Sequence, residues 1–202
     1  MSRCSCLYSV VVNLQGRCFM DEGENRPSRI CGKTGAAIVG QPGGTTFQVF
    51  DQKTLHLFES GHRAASPVEA ETLQGLAKKL GLPVKSFCDT TREFNAATPA
   101  SSRDNFNPFD VDGVSTGDKL SIPKSNWALP IDERPFVAYG VTCGITSTYG
   151  GLKTDSAGRV LNQERLHMPG LWAIGEISRG FFAFDYPEGT GLLRGAVFGK
   201  IV

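Results

Sequence analysis

Apolar residues follow strand and helix periods in the first two thirds of the chain and form short runs between glycines in the last third. The segments Tyr8–Asn13 and Thr46–Asp51 are rich in β-branched and aromatic residues and predict strands. Apolar positions recur at helical spacing between Ser66 and Gly81 and between Pro83 and Asn95. We expect these two helices to pack on each other and on the strands. The segment between the strands fits no single period.

Local signals place the start of the first helix at Ser66. Ser66 is a suitable N-cap residue, Pro67 suits the first helical position, and Glu69 completes a capping box. Gly81 is expected to end the helix just after two lysines, whose positive charge favours the carbonyl end.

The chain changes character at Phe136, where small residues, glycines and short apolar strands begin. The run Leu171–Ile174 predicts a short buried strand, and helical spacing returns after Gly189, with Thr190 as a suitable N-cap. The sequence therefore predicts an α+β (α/β) protein with one domain over residues 1–135 and a second over residues 136–202.

Composition excludes several classes of partner. The formal net charge is +1 and 20% of residues are charged, so no basic face for nucleic acid or for a membrane surface is expected. No apolar stretch is long enough to span a bilayer. The six cysteines lack metal-binding spacing and are expected to be reduced thiols, which predicts a cytoplasmic protein without a metal site.

The apolar run that ends at Gly175 and Glu176 is typical of a polar cofactor site. A carboxylate directly after a buried strand can accept hydrogen bonds from a ribose or ribityl hydroxyl. The alternative is an exposed acid at a strand end. The helix that opens at Gly189 favours the cofactor interpretation, because the two features are close in sequence.

The opening of that helix predicts a second contact to a flavin. Unsatisfied backbone N–H groups near Gly191, Leu192 and Leu193 and the positive helix end would suit the flavin edge that becomes anionic on reduction. An ordinary capped helix, with glycine for close packing, explains the same pattern.

Several side chains could act on a substrate. The Tyr186 hydroxyl could donate to an enolate or carboxylate, although an aromatic residue before proline often only packs. A substrate carboxylate could be bound by one of four basic residues, each of which could equally be a solvated surface group: Lys124, Arg134, Arg179 and Arg194. No histidine has the spacing of a metal ligand or a catalytic base.

Taken in order, the segments resemble the FAD-dependent fumarate reductase and succinate dehydrogenase flavoprotein superfamily, and most closely its tricarballylate dehydrogenase branch. The resembling segments are Val11–Glu22, Gln41–Gly44 with Phe50-Asp51, Pro123–Pro130 and nearly all of Pro135–Gly199, including Ala173-Ile174-Gly175-Glu176 and Tyr186-Pro187-x-Gly189.

The resemblance implies that residues 1–135 form the capping domain and residues 136–202 the C-terminal part of the FAD-binding domain. It implies that the acid matching Glu176 contacts the FAD ribityl chain and that the segment matching Gly189–Leu193, including Thr190, abuts the isoalloxazine. The family's Gly-x-Gly-x-x-Gly half, which holds the pyrophosphate, is absent from this sequence. The chain is therefore expected to be a fragment that lacks the N-terminal FAD-binding half.

Differences from the superfamily bear on the substrate. Fumarate reductases carry Asn-Arg-Leu-Gly-Gly where this chain has Asp185–Gly189, which disfavours fumarate and succinate. Glu188 and Arg194 replace residues that are small in close relatives. The resemblance implies an FAD-dependent dehydrogenase acting on a CH–CH bond of a small polycarboxylate such as tricarballylate, with Lys124 as the carboxylate clamp and Tyr186 as its partner. The alternatives are a 3-ketosteroid-type dehydrogenase and a non-catalytic remnant or binding module; the electron acceptor is left open.

Overall fold

The computed structural model describes residues 5–58, 66–145, 147–183, 186–187 and 189–202, which fall into two units, unit 1 (residues 1–143) and unit 2 (residues 144–202). The strands of unit 1 are β1 (Val10–Asn13), β2 (Thr45–Phe50), β3 (Val68–Ala70) and β4 (Phe136–Thr142), and its helices are α1 (Pro27–Val39), α2 (Leu73–Leu80), α3 (Val84–Ala97) and α4 (Ser102–Asn105). Unit 2 contains β5 (Arg159–Leu161), β6 (His167–Trp172) and α5 (Thr190–Ile201).

The sheet of unit 1 has the strand order β1-β2-β4-β3, and every neighbouring pair is antiparallel. One face of the sheet packs against α2 and α3 through a buried apolar cluster that includes Val12, Val49, Leu76, Phe87 and Phe94. The two helices also contact each other, as the periodic apolar positions predict. The mixed helix and strand fold is confirmed.

β4 belongs to the sheet of unit 1, where it lies between β2 and β3. The structural division therefore follows Cys143, whereas the sequence changes character at Phe136. The capping role expected for the first part of the chain stays a prediction.

The predicted start of the first helix is wrong. Val68–Ala70 forms β3 and pairs with Phe136–Ala138 of β4, and α2 begins only at Leu73. Thr72 is the N-cap residue, and its side chain accepts a hydrogen bond from Gly75 N. Pairing with β4 outweighs the local capping signal at Ser66. The predicted end is confirmed, because Gly81 closes α2 with φ +70°.

Unit 2 is built around two antiparallel strands, β5 and β6. A turn at Asp155–Gly158 leads into β5, as the predicted hairpin requires, and Thr154 forms a bridge to Val160. The prediction of a buried strand over Leu171–Ile174 is wrong for this chain, because all six residues of β6 are exposed. Only Ala173 of the predicted run is buried.

Candidate functional site

The residues expected to contact a cofactor all lie in unit 2, whereas Lys124 lies in unit 1. Gly175 adopts φ +71° and begins a short 3₁₀ turn that includes Glu176. A Cβ atom on Gly195 would lie 3.8 Å from Gly175 Cα, and Arg194 Nη2 donates to Gly175 O. The Gly175 turn therefore packs against the N-terminal half of α5.

The Glu176 side chain is exposed and lies against Thr148. One carboxylate oxygen accepts a hydrogen bond from Thr148 N at 2.8 Å and lies 3.4 Å from the Thr148 hydroxyl. Because a carboxylate has about four acceptor positions, this bond orients Glu176 and leaves further capacity for a ligand hydroxyl. The geometry suits an acceptor for a sugar-alcohol chain.

α5 opens at Gly189, which is the N-cap residue and adopts φ +84°. Thr190 is the first helical residue instead of the expected N-cap, and its hydroxyl donates to Pro187 O at 2.5 Å. The left-handed backbone at the cap favours glycine, which explains why threonine does not take that position. A Cβ atom on Gly189 would meet no heavy atom within 4 Å in the described residues, whereas one on Gly191 would lie 2.5 Å from Tyr186 Oη, so Tyr186 covers part of this end of the helix.

The expectation that the N–H groups of Gly191 and Leu193 are unsatisfied is wrong. Gly191 N donates to Tyr186 Oη at 2.8 Å, and Leu193 N donates to Gly189 O at 3.1 Å. The fifth N–H of a helix counted from its cap already has the cap carbonyl as its partner, which accounts for Leu193. The Leu192 and Leu193 side chains are exposed, at 84% and 63%.

Tyr186 is fixed on both its hydroxyl and its ring. The phenol oxygen accepts a hydrogen bond from the Gly191 amide, and the positive helix end favours negative charge that develops on that oxygen. The ring stacks edge to face on Phe182, with centroids 4.9 Å apart. This arrangement suits a hydrogen-bond donor to a substrate carbonyl or carboxylate.

Arg194 is buried against aromatic rings, which the sequence does not predict. Its side chain is 7% exposed, and its guanidinium carbon lies 4.7 Å and 5.4 Å from the ring centroids of Phe181 and Phe182. Its Nε is buried and has no partner among the described residues. The sequence does contain a sign of this role, because Arg194 is a single basic residue one helical turn after Thr190 within a run of glycine and apolar residues.

Arg179 lines a cleft of about 590 Å³ in unit 2, together with Lys153, Asp155 and Phe181. Two cationic side chains on one cleft could attract an anionic ligand, and Asp155 is already paired with Arg159.

Lys124 lies in the interior of unit 1. Its side chain is 3% exposed, and Nζ donates to Ser9 O at 2.5 Å and lies 5.9 Å from the Phe94 ring centroid. Burial lowers the pKa of the Lys124 amine, and the nearby Glu22 opposes this effect. Burial in turn raises the pKa of Glu22, whose carboxylate accepts from Val11 N. A carboxylate clamp would require Lys124 to leave these partners.

The site fits one end of an FAD molecule. The exposed Glu176 carboxylate and the positive end of α5, which Tyr186 partly covers, are groups that could hold a ribityl chain and the isoalloxazine edge. An anion that took the Gly191 amide would displace the Tyr186 hydroxyl. The sequence contains no Gly-x-Gly-x-x-Gly that would hold the pyrophosphate. Glu188 lies outside the described residues.

Within the described ranges, no group of three histidine, cysteine or acidic residues could hold a metal ion. A search of the same residues finds no helix with the length and apolar character that crossing a membrane requires.

A glycine turn, an exposed acid and a helix that opens on glycine are together typical of dinucleotide-binding proteins. The chain belongs to the FAD binding domain family, whose model matches residues 8–192. The expected membership in the fumarate reductase and succinate dehydrogenase flavoproteins is confirmed, and FAD is the cofactor of this family.

Among similar proteins, the 4-oxocyclohexanecarboxylate 2-dehydrogenase of Sinomonas cyclohexanicum is 31% identical over 93% of this chain and 34% of its own length. A fumarate reductase (cytochrome) of Shewanella frigidimarina is 24% identical over 96% of this chain and 31% of its own. The crystal structure of a 3-ketosteroid Δ1-dehydrogenase from Sterolibacterium denitrificans has a similar fold, with a TM-score of 0.70 and 24% identity over 98% of this chain and 38% of that one. The chain thus spans about a third of the length of these two relatives.

Proposed function

We propose that the chain is part of an FAD-dependent oxidoreductase that acts on a CH–CH bond next to a carboxylate or a carbonyl. The observation that carries the proposal is the Gly175 turn, which packs against α5 and holds the exposed Glu176 beside it. The chain also matches the FAD binding domain over residues 8–192. Relatives whose names indicate CH–CH chemistry support the reaction class.

In this proposal Glu176 holds the ribityl chain and the residues from Gly189 to Leu193 face the isoalloxazine. FAD held by these residues would supply the hydride acceptor for the oxidation of the substrate. Tyr186 would donate a hydrogen bond to the substrate oxygen, and the Gly191 N–H would stabilise the charge that develops on the phenol oxygen. The neighbouring C–H bond would lose its proton to water, and its electron pair would form the new C=C bond.

The first candidate substrate is a small polycarboxylate such as tricarballylate. The carboxylate clamp proposed from the sequence is Lys124, but its bond to Ser9 O and its burial favour a structural role. Arg179, with its position on an open cleft, is the better candidate for an anion contact. The proposal predicts that the Arg179→Met variant raises the KM for a polycarboxylate more than Lys124→Met does.

The second candidate substrate is a cyclic ketone. It is favoured by the aromatic side chains around Tyr186, since Phe182 stacks on Tyr186 and Tyr149 lies 6.2 Å from Phe182 by ring centroid. Flat rings and a phenol donor suit a ring-shaped substrate with one carbonyl. The names of two similar proteins, an oxocyclohexanecarboxylate dehydrogenase and a ketosteroid dehydrogenase, agree with this alternative.

Equilibrium dialysis of the 202-residue chain against FAD tests cofactor binding, with flavin absorbance as the readout. Glu176→Gln is expected to weaken FAD binding about tenfold, because a hydrogen bond to a charged group contributes about 1.5 kcal/mol or more. Glu164→Gln, at an exposed acid of the same unit, is the matched control and should have no effect. Equal binding by Glu176→Gln and the unchanged chain would contradict the assignment.

The substrate is tested by anaerobic loss of the bound flavin's absorbance on addition of tricarballylate or of a 3-ketosteroid. Reduction by tricarballylate alone supports the first candidate, and reduction by the ketosteroid alone supports the second. Failure to bind FAD both by the chain alone and by the chain joined to the Gly-x-Gly-x-x-Gly half of a related FAD-binding domain supports the non-catalytic remnant.

A further inference from the structure

Arg194 is a buried cation that forms no ion pair with any acid of the described residues. Its Nε is also buried there without a hydrogen-bond partner. The described residues alone cause this burial, and any further protein that bound here would only increase it. A buried charge without a carboxylate lowers stability unless other groups compensate for it. The remaining contacts of Arg194 must therefore provide that compensation.

The first contact of Arg194 is to the turn that carries Glu176. Arg194 Nη2 donates a hydrogen bond to Gly175 O. This carbonyl belongs to the same planar peptide unit as Glu176 N, so its direction fixes how the Glu176 side chain leaves the backbone. Ser178 N and Oγ donate to the same carbonyl at 3.1 and 2.8 Å and fix the shape of the turn. Arg194 is the donor that ties this turn to α5.

The second contact of Arg194 is to the aromatic rings beside Tyr186. Its guanidinium carbon lies 5.4 Å from the ring centroid of Phe182, which stacks edge to face on Tyr186. It lies 4.7 Å from the ring centroid of Phe181, which in turn stacks edge to face on Phe198 of α5. The faces of aromatic rings attract a cation and compensate in part for the water it has lost. Arg194 thus supports the ring against which Tyr186 packs.

We propose that Arg194 is a positioning residue that holds the Glu176 carboxylate and the Tyr186 phenol in one fixed arrangement. It acts on Glu176 through Gly175 and on Tyr186 through Phe182. The inference rests on the proposed function, in which Glu176 binds the ribityl chain of FAD and Tyr186 binds the substrate oxygen. Oxidation of a substrate by a bound cofactor requires that the two be held in a defined orientation. Arg194 would link the residue that binds the one to the residue that binds the other.

Two backbone amides report on the two side chains separately. Thr148 N donates to the Glu176 carboxylate at 2.8 Å, and Gly191 N donates to Tyr186 Oη at 2.8 Å. Each amide hydrogen exchanges with water faster when its acceptor moves away. The Glu176→Ala variant should speed exchange at Thr148 alone, and the Tyr186→Phe variant should speed it at Gly191 alone. These two variants calibrate the reporters.

Hydrogen exchange in the isotope-labelled 202-residue chain, followed by NMR without flavin, tests the inference. Arg194→Met removes the charge and the hydrogen bond but keeps an unbranched side chain that can pack on the rings. We expect exchange at both Thr148 and Gly191 to become about threefold faster or more, because both acceptors lose their fixed positions. The amides of Leu161 and Ala173, which form backbone hydrogen bonds elsewhere in unit 2, should not change.

Two further variants separate charge from position. Lys200→Met is the matched control, because Lys200 is an exposed cation in the last turn of α5, and it should change neither reporter amide. Arg194→Lys keeps the charge but loses the planar guanidinium. A single ammonium can donate to Gly175 O but does not cover two rings at the same time. This variant should therefore restore protection at Thr148 and not at Gly191, and it decides the inference by that difference if Arg194→Met unfolds unit 2.

The affinity for FAD provides the functional measurement. In the equilibrium dialysis described above, Arg194→Met should weaken FAD binding about tenfold, as Glu176→Gln does, because both changes remove the oriented carboxylate. Lys200→Met should change the affinity less than about twofold. A chain that does not bind FAD alone is measured joined to the Gly-x-Gly-x-x-Gly half of a related FAD-binding domain.

Three exchange results for Arg194→Met would overturn the inference: no change at Thr148 and Gly191, a change at only one of them, or an equal change at Leu161 and Ala173. The last result would assign Arg194 to the general stability of unit 2. Equal FAD binding by Arg194→Met and the unchanged chain would contradict the positioning role alone. The proposed function fails separately, because faster exchange at both reporter amides in a chain that binds no FAD in either form contradicts the function and supports the link through Arg194.

Discussion

The Asp51 carboxylate is a buried charged group in unit 1 whose substitution should strongly lower stability, because it accepts several hydrogen bonds. Asp51 is 1% exposed and accepts hydrogen bonds from the backbone N–H groups of Lys53, Asp132 and Glu133 at 3.1, 3.0 and 3.1 Å. It also pairs with the Lys53 amine. The carboxylate therefore joins the end of β2 to the segment that leads into β4.

The expected cost of Asp51→Ala follows from these bonds. Hydrogen bonds to a charged group contribute about 1.5–3 kcal/mol each, and the released N–H groups of Asp132 and Glu133 can still reach water. We take the lower value for each of the three bonds, with partial overlap, and expect the unfolding free energy to fall by about 3–5 kcal/mol. The Lys53 amine would lose its buried partner as well.

Asp51→Asn separates charge from geometry. Oδ2 serves Asp132 and Glu133, and Oδ1 serves Lys53 N. An asparagine that keeps its oxygen toward Asp132 and Glu133 turns its NH₂ toward the Lys53 N–H and loses that bond. We expect a loss of about 1.5–3 kcal/mol, clearly smaller than that of the alanine variant.

Urea unfolding followed by fluorescence measures both variants, because Trp127 is buried in unit 1 and becomes exposed on unfolding. Asp110→Asn and Asp110→Ala are matched controls, since Asp110 pairs with Arg26 and its side chain is 74% exposed. Surface pairs of this kind contribute about 0–1 kcal/mol. A loss below about 1 kcal/mol for Asp51→Ala, or equal losses for the two Asp51 variants, would refute this reasoning.

Three further predictions concern unit 1. Burial lowers the pKa of Lys124, so between that pKa and about 10.4 the unfolded chain binds a proton that the folded chain has released, and the unfolding free energy should rise with pH. Urea titrations at several alkaline pH values should show this rise for the unchanged chain and not for Lys124→Met. The same dependence of the unfolding free energy on pH in both proteins would contradict the prediction. Gly23→Ala places a Cβ 2.3 Å from Asn126 O and should lower the unfolding free energy by about 2 kcal/mol or more, whereas Gly140→Ala in the same unit, whose Cβ would lie 3.7 Å from the Phe47 ring, should change it by less than about 1 kcal/mol. Phe87→Ala removes a side chain that is 0% exposed and should cost about 3–5 kcal/mol in the same assay; a cost below about 1 kcal/mol would show that the core closes around the cavity.

Most of the elements that the sequence predicted correctly were those whose apolar residues recur at regular spacing. The helix expected over Pro83–Asn95 corresponds to α3, and the strand over Thr46–Asp51 corresponds to β2. α1 was not predicted, because its apolar residues fit no single period. The start of α2 failed for a different reason, since Val68–Ala70 pairs with a strand that lies far along the chain. Local capping signals carry no information about such long-range pairing.

The sequence predicted that the glycines and the acid of the candidate site lie beside a helix opening, but it did not predict the hydrogen bonds there, and the contact of these residues with a cofactor stays a prediction. Gly175, Glu176 and Gly189 lie on one connected turn and helix opening, as their order in the sequence indicates. The bond from Gly191 N to Tyr186 Oη depends on how the chain turns after Pro187, and the sequence does not specify that turn. The position of Arg194 over two aromatic rings likewise depends on packing between segments.

The place of β4 in its sheet has a consequence for synthesis of the protein. β4 is the strand that joins β2 to β3, yet it is formed by Phe136–Thr142, which leave the ribosome after every other strand of that sheet. Until then, one edge of β2 is unpaired and the β3 segment has no strand to pair with, and non-local pairing of this kind is slow. A ribosome stalled before Phe136 should therefore hold a nascent chain that chaperones bind and proteases cut, and release of only a few more residues should make it resistant.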